Sequence, residues 1–304
     1  MRRRDLLGSA IATAALPAAG QSPGADRSPN PTTRPIPKTG ERIPAVGLGT
    51  WLTFDLPISD VDGLARRRDV LERFFAGGGR LVDSSPMYGH AEAVLGELLA
   101  RPEPRLFSAT KVWTPGTGYG VSQIRRSMSL WRLSRVDLMQ VHNLLNWRGH
   151  LKTLREGQEQ GRWRYIGVTT SHGRAHDEVR AILRAERIDF LQITYSPADR
   201  SAEPLLELAA ERGVAVIVNR PFDGGALLSR LARTPLPPLA RELGCDSWAA
   251  AVLKWEIAHP AVTCAIPATT DPAHCTENMQ ALRGVLPDAR QRVALLRAMA
   301  PAVG

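Results

Sequence analysis

Residues 61–89 read VDGLARRRDVLERFFAGGGRLVDSSPMYG and contain one whole unit of the fold. In the first half, Val61, Leu64, Ala65, Leu71, Phe74 and Phe75 fall largely on one stripe at helical spacing, with charged residues between them. That pattern predicts an amphipathic helix. Gly77-Gly78-Gly79 stops it. Leu81–Asp83 is then a short strand candidate. It ends on an acid and runs into a polar turn, Ser84-Ser85-Pro86-Met87-Tyr88-Gly89.

The same alternation recurs on both sides of this stretch. Strand candidates are Ala45–Leu48, Leu81–Asp83, Leu106–Lys111, Val136–His142, Tyr165–Thr169, Phe190–Tyr195, Ala215–Asn219 and Val262–Ile266. Most begin about 25 to 35 residues after the one before, which fits a strand, a helix and two loops. Eight such units in series predict an α/β fold, a closed parallel (β/α)8 TIM barrel. An open doubly wound sheet would carry a Gly-rich turn opening a helix after its first strand. Here Gly47-Leu48-Gly49-Thr50 leads into Trp51 instead. Lys38-Thr39-Gly40, between two β-like pieces of Arg34–Pro44, predicts a short N-terminal β-hairpin. Near the C-terminal end, residues 222–237 read as an extra loop before a helix at Pro238–Ala258.

The bulk properties agree with one large domain. The chain has 304 residues, 43% of them hydrophobic, and a formal charge of +9 from 39 Lys and Arg against 30 Asp and Glu. The basic residues are spread among acids along helix-like stretches, so charge gives no case for nucleic-acid binding. Cys245, Cys264 and Cys275 form no CxxC pair and are odd in number. Buried free thiols are expected, with a Cys264–Cys275 bridge left open. No HxH or HExxH pattern occurs, and no metal site is expected.

The N-terminus has a different character. Arg2-Arg3-Arg4 precedes Asp5-Leu6-Leu7, an apolar run from Gly8 to Ala19 and a small-residue end at Ala18-Ala19-Gly20. This is the pattern of a signal peptide, and Arg3-Arg4-Asp5-Leu6-Leu7 resembles the twin-arginine export signal. The apolar run is too short to cross a bilayer about 30 Å thick as a helix. Residues 1–20 are therefore expected to direct export to a bacterial periplasm, without stable membrane insertion, the alternative being a cytoplasmic enzyme. Residues 21–35 read as a flexible linker and residues 36–304 as the barrel.

In a barrel of this kind, chemistry sits past the C-terminal ends of the strands. The polar residues there are Asp83 and Tyr88 after the second strand, Thr110-Lys111 on the third and Gln140-Val141-His142-Asn143 on the fourth. The sixth ends in Gln192-Ile193-Thr194-Tyr195-Ser196. A phenol titrates near 10 and holds its proton at neutral pH. A nearby ammonium favours the phenolate, which Lys111 can supply while Asp83 holds Lys111. His142 can hydrogen-bond a substrate oxygen. The set suits carbonyl reduction, which needs a hydride at carbon and a proton at oxygen.

Over about residues 42–280 the sequence resembles the aldo-keto reductase family. The matching pieces are Gly47-Leu48-Gly49-Thr50-Trp51, Asp83 to Tyr88-Gly89, Thr110-Lys111, Gln140-Val141-His142, Gly167-Val168-Thr169, Gln192 to Tyr195-Ser196-Pro197, and Ile266-Pro267 to Glu277-Asn278. The resemblance implies Tyr88 as general acid, Lys111 as modulator of its pKa, Asp83 as the partner of Lys111 and His142 as the orienting group. For the cofactor it implies Gly49, Thr50, Trp51 and Asp83, with Tyr195 stacking on the nicotinamide beside Ser196. Gln192, Thr169, Thr170 and Asn143 would lie at the carboxamide. Asn219, Arg220, Pro221, Gly225 and Leu227 would wrap the pyrophosphate. Ile266, Pro267, Ala268, Thr269, Thr270, His274, Glu277 and Asn278 would surround the adenosine.

Three departures from the family pattern matter. Thr169-Thr170 stands where many relatives have Ser-Asn, so an amide contact to the carboxamide is either missing or supplied by Asn143. Ala268 and His274 stand where many have Lys and Arg against the 2′-phosphate, which weakens the case for NADP over NAD; NADP is still favoured, with NAD possible, because Thr269, Thr270 and His274 can donate hydrogen bonds. The tail after Asn278 is short, which leaves Trp51, Tyr88, Trp113, Tyr119, His142 and Trp147 as pocket walls. The expected partner is a small-molecule carbonyl substrate, and the expected state a monomer or weak homo-oligomer. The rival reading is a non-catalytic barrel that binds nucleotide as a sensor or subunit.

Overall fold

A computed structural model describes residues 31–99 and 106–303. Residues 1–20, expected as a signal peptide, lie outside the described residues, as does the linker up to residue 30. Eight parallel strands run in sequence order around a barrel: β3 (Leu48–Gly49), β4 (Leu81–Asp83), β5 (Phe107–Val112), β6 (Val136–Val141), β7 (Trp163–Thr169), β8 (Phe190–Thr194), β9 (Ala215–Asn219) and β10 (Val262–Ala265). The first and last meet through the parallel bridges Val46–Ala265 and Gly49–Ala268, so the barrel closes. Two preceding strands, β1 (Thr33–Pro35) and β2 (Arg42–Pro44), form an antiparallel hairpin.

The helices on the outside are α1 (Val61–Ala76), α2 (Ala91–Leu98), α3 (Thr117–Leu130), α4 (Trp147–Glu159), α5 (His176–Ala185) and α6 (Glu203–Glu211). They continue with α7 (Ala226–Leu231), α8 (Pro238–Glu242), α9 (Trp248–Ile257), α10 (Pro272–Gln280) and α11 (Ala289–Val303). The sequence-predicted TIM barrel with an N-terminal hairpin and extra C-terminal helices is the observed fold.

The strand period explains how this barrel positions polar groups. Alternate residues point inward. Low in the barrel the inward set is apolar: Leu81, Phe107, Ala109, Leu138, Tyr165, Phe190, Ala215, Ile217 and Cys264. Ile36 and Ile43 of the hairpin join this cluster and close the lower end. Two residues further along, the same faces carry Asp83, Lys111, Gln140 and Gln192, all buried. Two glycines permit the close approach of neighbouring strands: a Cβ on Gly167 would lie 2.6 Å from the Phe190 carbonyl, and one on Gly47 would lie 2.8 Å from the Leu81 carbonyl.

Several boundaries differ from expectation. Residues Thr33–Pro35, expected in the linker, pair with Arg42–Pro44, and Thr32 N–H donates to the Leu282 carbonyl. The helix expected over Pro238–Ala258 is two helices. Gly244 takes φ +75° after α8, and Ser247 starts α9 by accepting the N–H of Ala250 on its hydroxyl. The expected loop 222–237 contains a short 3-10 turn and α7. His142 opens a 3-10 turn rather than ending its strand, because Asn143 takes φ 49°. The tail after Asn278 forms α11, packed on α7, α8 and α9. Cys245, Cys264 and Cys275 are all buried and free, so the possible Cys264–Cys275 bridge does not form. No helix among the described residues is long and apolar enough to cross a membrane. Among them, too, no three His, Cys, Asp or Glu gather as metal ligands.

Candidate active site

A cleft of about 800 Å³ opens at the C-terminal ends of the strands. Deep in it lies a buried ion pair: Lys111 Nζ donates to Asp83 Oδ2 at 2.6 Å, and the two residues are 0% and 2% exposed. Burying two charges is costly unless their remaining hydrogen-bonding capacity is met. Here it is largely met. Lys111 also donates to the Ser84 carbonyl at 2.7 Å, while Asp83 Oδ1 accepts the amides of Gln140 at 3.1 Å and Gln192 at 2.9 Å. The backbone of Asp83 is fixed as well, because its carbonyl accepts the Thr50 hydroxyl at 2.9 Å.

Tyr88 stands over this pair. Lys111 Nζ is 5.1 Å from the Tyr88 ring centroid, and His142 meets the same ring edge-on at 5.7 Å. Burial drives the Tyr88 phenol above its ordinary pKa, against the pull of the Lys111 charge; the Asp83 charge adds to the rise. Tyr88 therefore holds its proton at neutral pH. For Lys111, burial disfavours the charge, but Asp83 and Tyr88 outweigh it and the ammonium is held above its usual range. Burial, helped by the Lys111 charge, pushes the His142 imidazole down to about 2, so it is neutral. Its Nδ1 lies 2.8 Å from the Ser85 hydroxyl.

From this point the cleft runs across the mouth to the loop after β10 and the start of α10. Gly49, Thr50, Trp51, Asp83, Tyr88, His142, Asn143, Thr169, Thr170 and Gln192 line it near the ion pair. Asn219, Arg220, Pro221 and Gly225 form one wall. Ile266, Pro267, Ala268, Thr269, His274, Glu277 and Asn278 form the far end. Most of the sequence-predicted set thus converges. Thr170 lines the cleft, and its buried hydroxyl has no hydrogen-bond partner. An amide or carboxamide placed there would satisfy it.

Some predicted residues lie elsewhere. Tyr195 was expected to stack on the cofactor, but its ring stacks on Trp255 at 5.3 Å and its hydroxyl meets Glu203 and Arg292. Gln192 and Thr194 point into the barrel, so Tyr195, one position on, points out. Ser196 is buried in the turn beside it and bonds Asp199. Leu227 is buried behind the wall in α7, and Thr270 stands outside the lining. Trp147 starts α4 and donates its indole N–H to Glu178, facing α5 rather than the cleft. Trp113 and Tyr119 are exposed beyond the lining. Lys111 is covered by Tyr88 and Asp83 and does not line the surface itself.

The sequence pattern of the aldo/keto reductase family matches residues 45–292 of this chain. The chain belongs to the aldo/keto reductase family. Among curated proteins it is similar to the NADH-specific methylglyoxal reductase of Escherichia coli (strain K12), at 27% identity over 68% of this chain and 72% of that protein. Two solved structures share the fold. The holo form of an aldo-keto reductase from Bacillus halodurans superposes with a TM-score of 0.74 at 20% identity, covering 90% of this chain and 98% of that one. An aldo-keto reductase from Klebsiella pneumoniae in complex with NADPH gives 0.71 at 21% identity, covering 86% and 93%.

This family member also places residues in the cleft that the sequence did not single out. Leu52, Thr53 and Met87 flank Trp51 and Tyr88. Ser171, His172 and Arg174 come from the loop after β7, where His172 and Ala175 take positive φ without being glycine. Ser247, Trp248 and Ala249 come from the start of α9. Backbone strain of this kind, and a distant helix end, carry no signature in a single sequence.

Proposed function

We propose that this family member reduces an aldehyde or ketone to the alcohol, or runs the reverse, with Tyr88 as the proton donor. The observation that carries the reading is the convergence at one end of the cleft of a protonated phenol, a buried ammonium and a neutral imidazole. A bound nicotinamide cofactor would supply the hydride. The unpartnered Thr170 hydroxyl, with Asn143 beside it, fits the carboxamide, and Arg220 with the backbone at Gly225 fits the pyrophosphate.

The residues then divide the work. As hydride reaches the carbonyl carbon, the Tyr88 O–H bond breaks and its proton moves to the carbonyl oxygen. Lys111 stabilises the phenolate left behind, which regains a proton from solvent. Asp83 keeps Lys111 charged and fixed. With the Ser85 hydroxyl donating to Nδ1, His142 carries its proton on Nε2 and can donate it to the same carbonyl oxygen.

Thr269 and His274 offer donors to a 2′-phosphate, which supports NADP. Arg174 and Arg220 are the Lys or Arg cations of the lining; they come from the loops after β7 and β9, Arg220 pairs with Asp223, and neither belongs to the loop after β10 or to α10, where the adenosine would lie. NADPH is therefore expected to exceed NADH by less than about tenfold in kcat/KM, since a phosphate facing no guanidinium gains little. We propose further that residues 1–20 export the protein by the twin-arginine route. A fusion of those residues to a reporter would appear in the periplasm, and Arg3→Lys/Arg4→Lys would block it.

The decisive experiment follows absorbance at 340 nm with NADPH or NADH and a panel of carbonyls that includes small ketoaldehydes. Turnover in the wild type, lost in Tyr88→Phe while nucleotide still binds, is the expected result. Nucleotide binding with no turnover across the panel would instead favour a sensor.

A further inference from the structure

We infer that Glu92 is a positioning residue that locks the Tyr88 turn onto the strand of Lys111; this rests on the role proposed for that pair. Glu92 lies in the first turn of α2, four residues after Tyr88, and is 2% exposed. Its two oxygens have different partners. The Thr110 hydroxyl donates to Oε1 at 2.6 Å, and the Ser127 hydroxyl donates to Oε2 at 2.8 Å. Thr110 is the residue before Lys111 in β5, so its side chain points out of the barrel where that of Lys111 points in. Ser127 faces inward from α3.

One carboxyl group therefore joins the helix behind Tyr88, the strand under Lys111 and the neighbouring helix. A packing role would be met by an apolar side chain at lower cost, because a buried acid is unfavourable unless bonded. Burial holds this carboxyl above its ordinary range, with the two hydroxyls and the Lys111 charge opposing. The start of the turn is tied to the same strand through the Ser84 N–H to the Ala109 carbonyl and Lys111 Nζ to the Ser84 carbonyl, and its end to another loop through the His90 N–H to Asp55. Between them Tyr88 itself has only local backbone bonds, its N–H to Ser85 and the Ala91 N–H to its carbonyl, so among the described side chains Glu92 is the tie from the helix behind Tyr88 to the residue before Lys111. A misplacement of about 1 Å in such a pair can cost on the order of a hundredfold in rate.

The test compares wild type with Glu92→Ala, Glu92→Gln and Thr110→Val in the full chain. Three quantities are read: kcat and KM for a carbonyl, the Kd for NADPH or NADH by tryptophan quenching, and the Tyr88 titration. The last is the ultraviolet difference between each protein and its own Tyr88→Phe version. Glu92→Ala and Thr110→Val are expected to lower kcat about tenfold or more, with nucleotide Kd little changed. Glu92→Gln keeps an acceptor of the same length and restores most of the rate. Tyr88 titrates at higher pH in Glu92→Ala and Thr110→Val, because the ammonium no longer lies against it.

Near-wild-type kcat in Thr110→Val, or an unmoved Tyr88 titration there, overturns the proposal, and this variant answers even if Glu92→Ala fails to fold. A wild type with no turnover would overturn the proposed function instead, and the Tyr88 titration would still decide the role of Glu92.

Discussion

Asp55 Oδ1 accepts the backbone N–H of His90 at 2.9 Å and lies 3.0 Å from His90 Nδ1, so the loop carrying Trp51 caps the helix that follows Tyr88. His90 is the N-cap of α2 and makes no capping bond with its own side chain. A carboxylate from another loop supplies it instead, where the helix dipole favours negative charge. The contact is close on every side: Gly89 takes φ +57°, and a Cβ there would fall 2.1 Å from Asp55 Oδ1.

Asp55→Ala should cost about 1 kcal/mol of stability at pH 7, the usual worth of a lost cap. The His90 backbone bond, then its side-chain bond, hold the Asp55 carboxyl below the usual range. A lowered acid stabilises the fold above its unfolded pKa and loses that contribution as pH falls through the folded one. Urea midpoints of variant and wild type should therefore differ at pH 7 and draw together at pH 3. Gly89→Ala should be worse than Asp55→Ala at both.

Removing one partner of the buried ion pair is a sharper intervention. Lys111→Met strands the Asp83 carboxylate and should cost about 3–5 kcal/mol. Adding Asp83→Asn should recover much of the melting temperature but none of the rate, which should stay down by at least about a hundredfold. A double variant that recovers turnover would mean the pair serves only packing.

His142 is neutral in the folded chain at any working pH, its pKa held down to about 2 chiefly by burial. Unfolded, it takes a proton below about 6.5. The unfolded state then binds the extra proton, so wild-type stability falls as pH drops below that value. His142→Gln should lose less stability than wild type between pH 7 and 5 in parallel denaturant titrations. The wild-type pH–rate profile should show no limb from this residue above pH 5.

Glu256 in α9 behaves oppositely. It is fully buried, neither carboxylate oxygen has a hydrogen-bond partner, and burial raises it well above the usual carboxylate range. A raised acid contributes stability below its unfolded pKa and loses it as pH rises toward the folded one. Glu256→Gln should gain melting temperature over wild type at pH 8 and little or none at pH 4. Equal shifts at both would show that the gain has nothing to do with ionisation.

The barrel was legible because its units repeat, and the ion pair because its members end successive strands. Leu81 to Asp83 and Ala109 to Lys111 each advance two residues on one inward face, so composition along that face announces the change from apolar to polar. The same rule exposes the error at Tyr195. It sits an odd number of positions from Gln192, and a continuous strand cannot aim both into the barrel. Trp113 and Trp147 failed for another reason. Trp147 opens α4 directly after Asn143 and Asn146, both with positive φ, which set the direction in which that helix starts, and Trp113 lies just past the end of β5, where strand alternation no longer fixes direction. Arg174 and Trp248 reach the cleft only through loop strain and the docking of α9, and neither is written in local pattern.

The hairpin floor made by Ile36 and Ile43 gives the molecule a single doorway. Among the described residues nothing opens through the barrel from below, and the cleft is entered at the strands' C-terminal ends, where Trp51, Leu52 and Met87 are among the exposed lining residues. A dinucleotide laid along the cleft and a small molecule beside Tyr88 would therefore have to share one entrance, because the opposite end of the barrel is plugged.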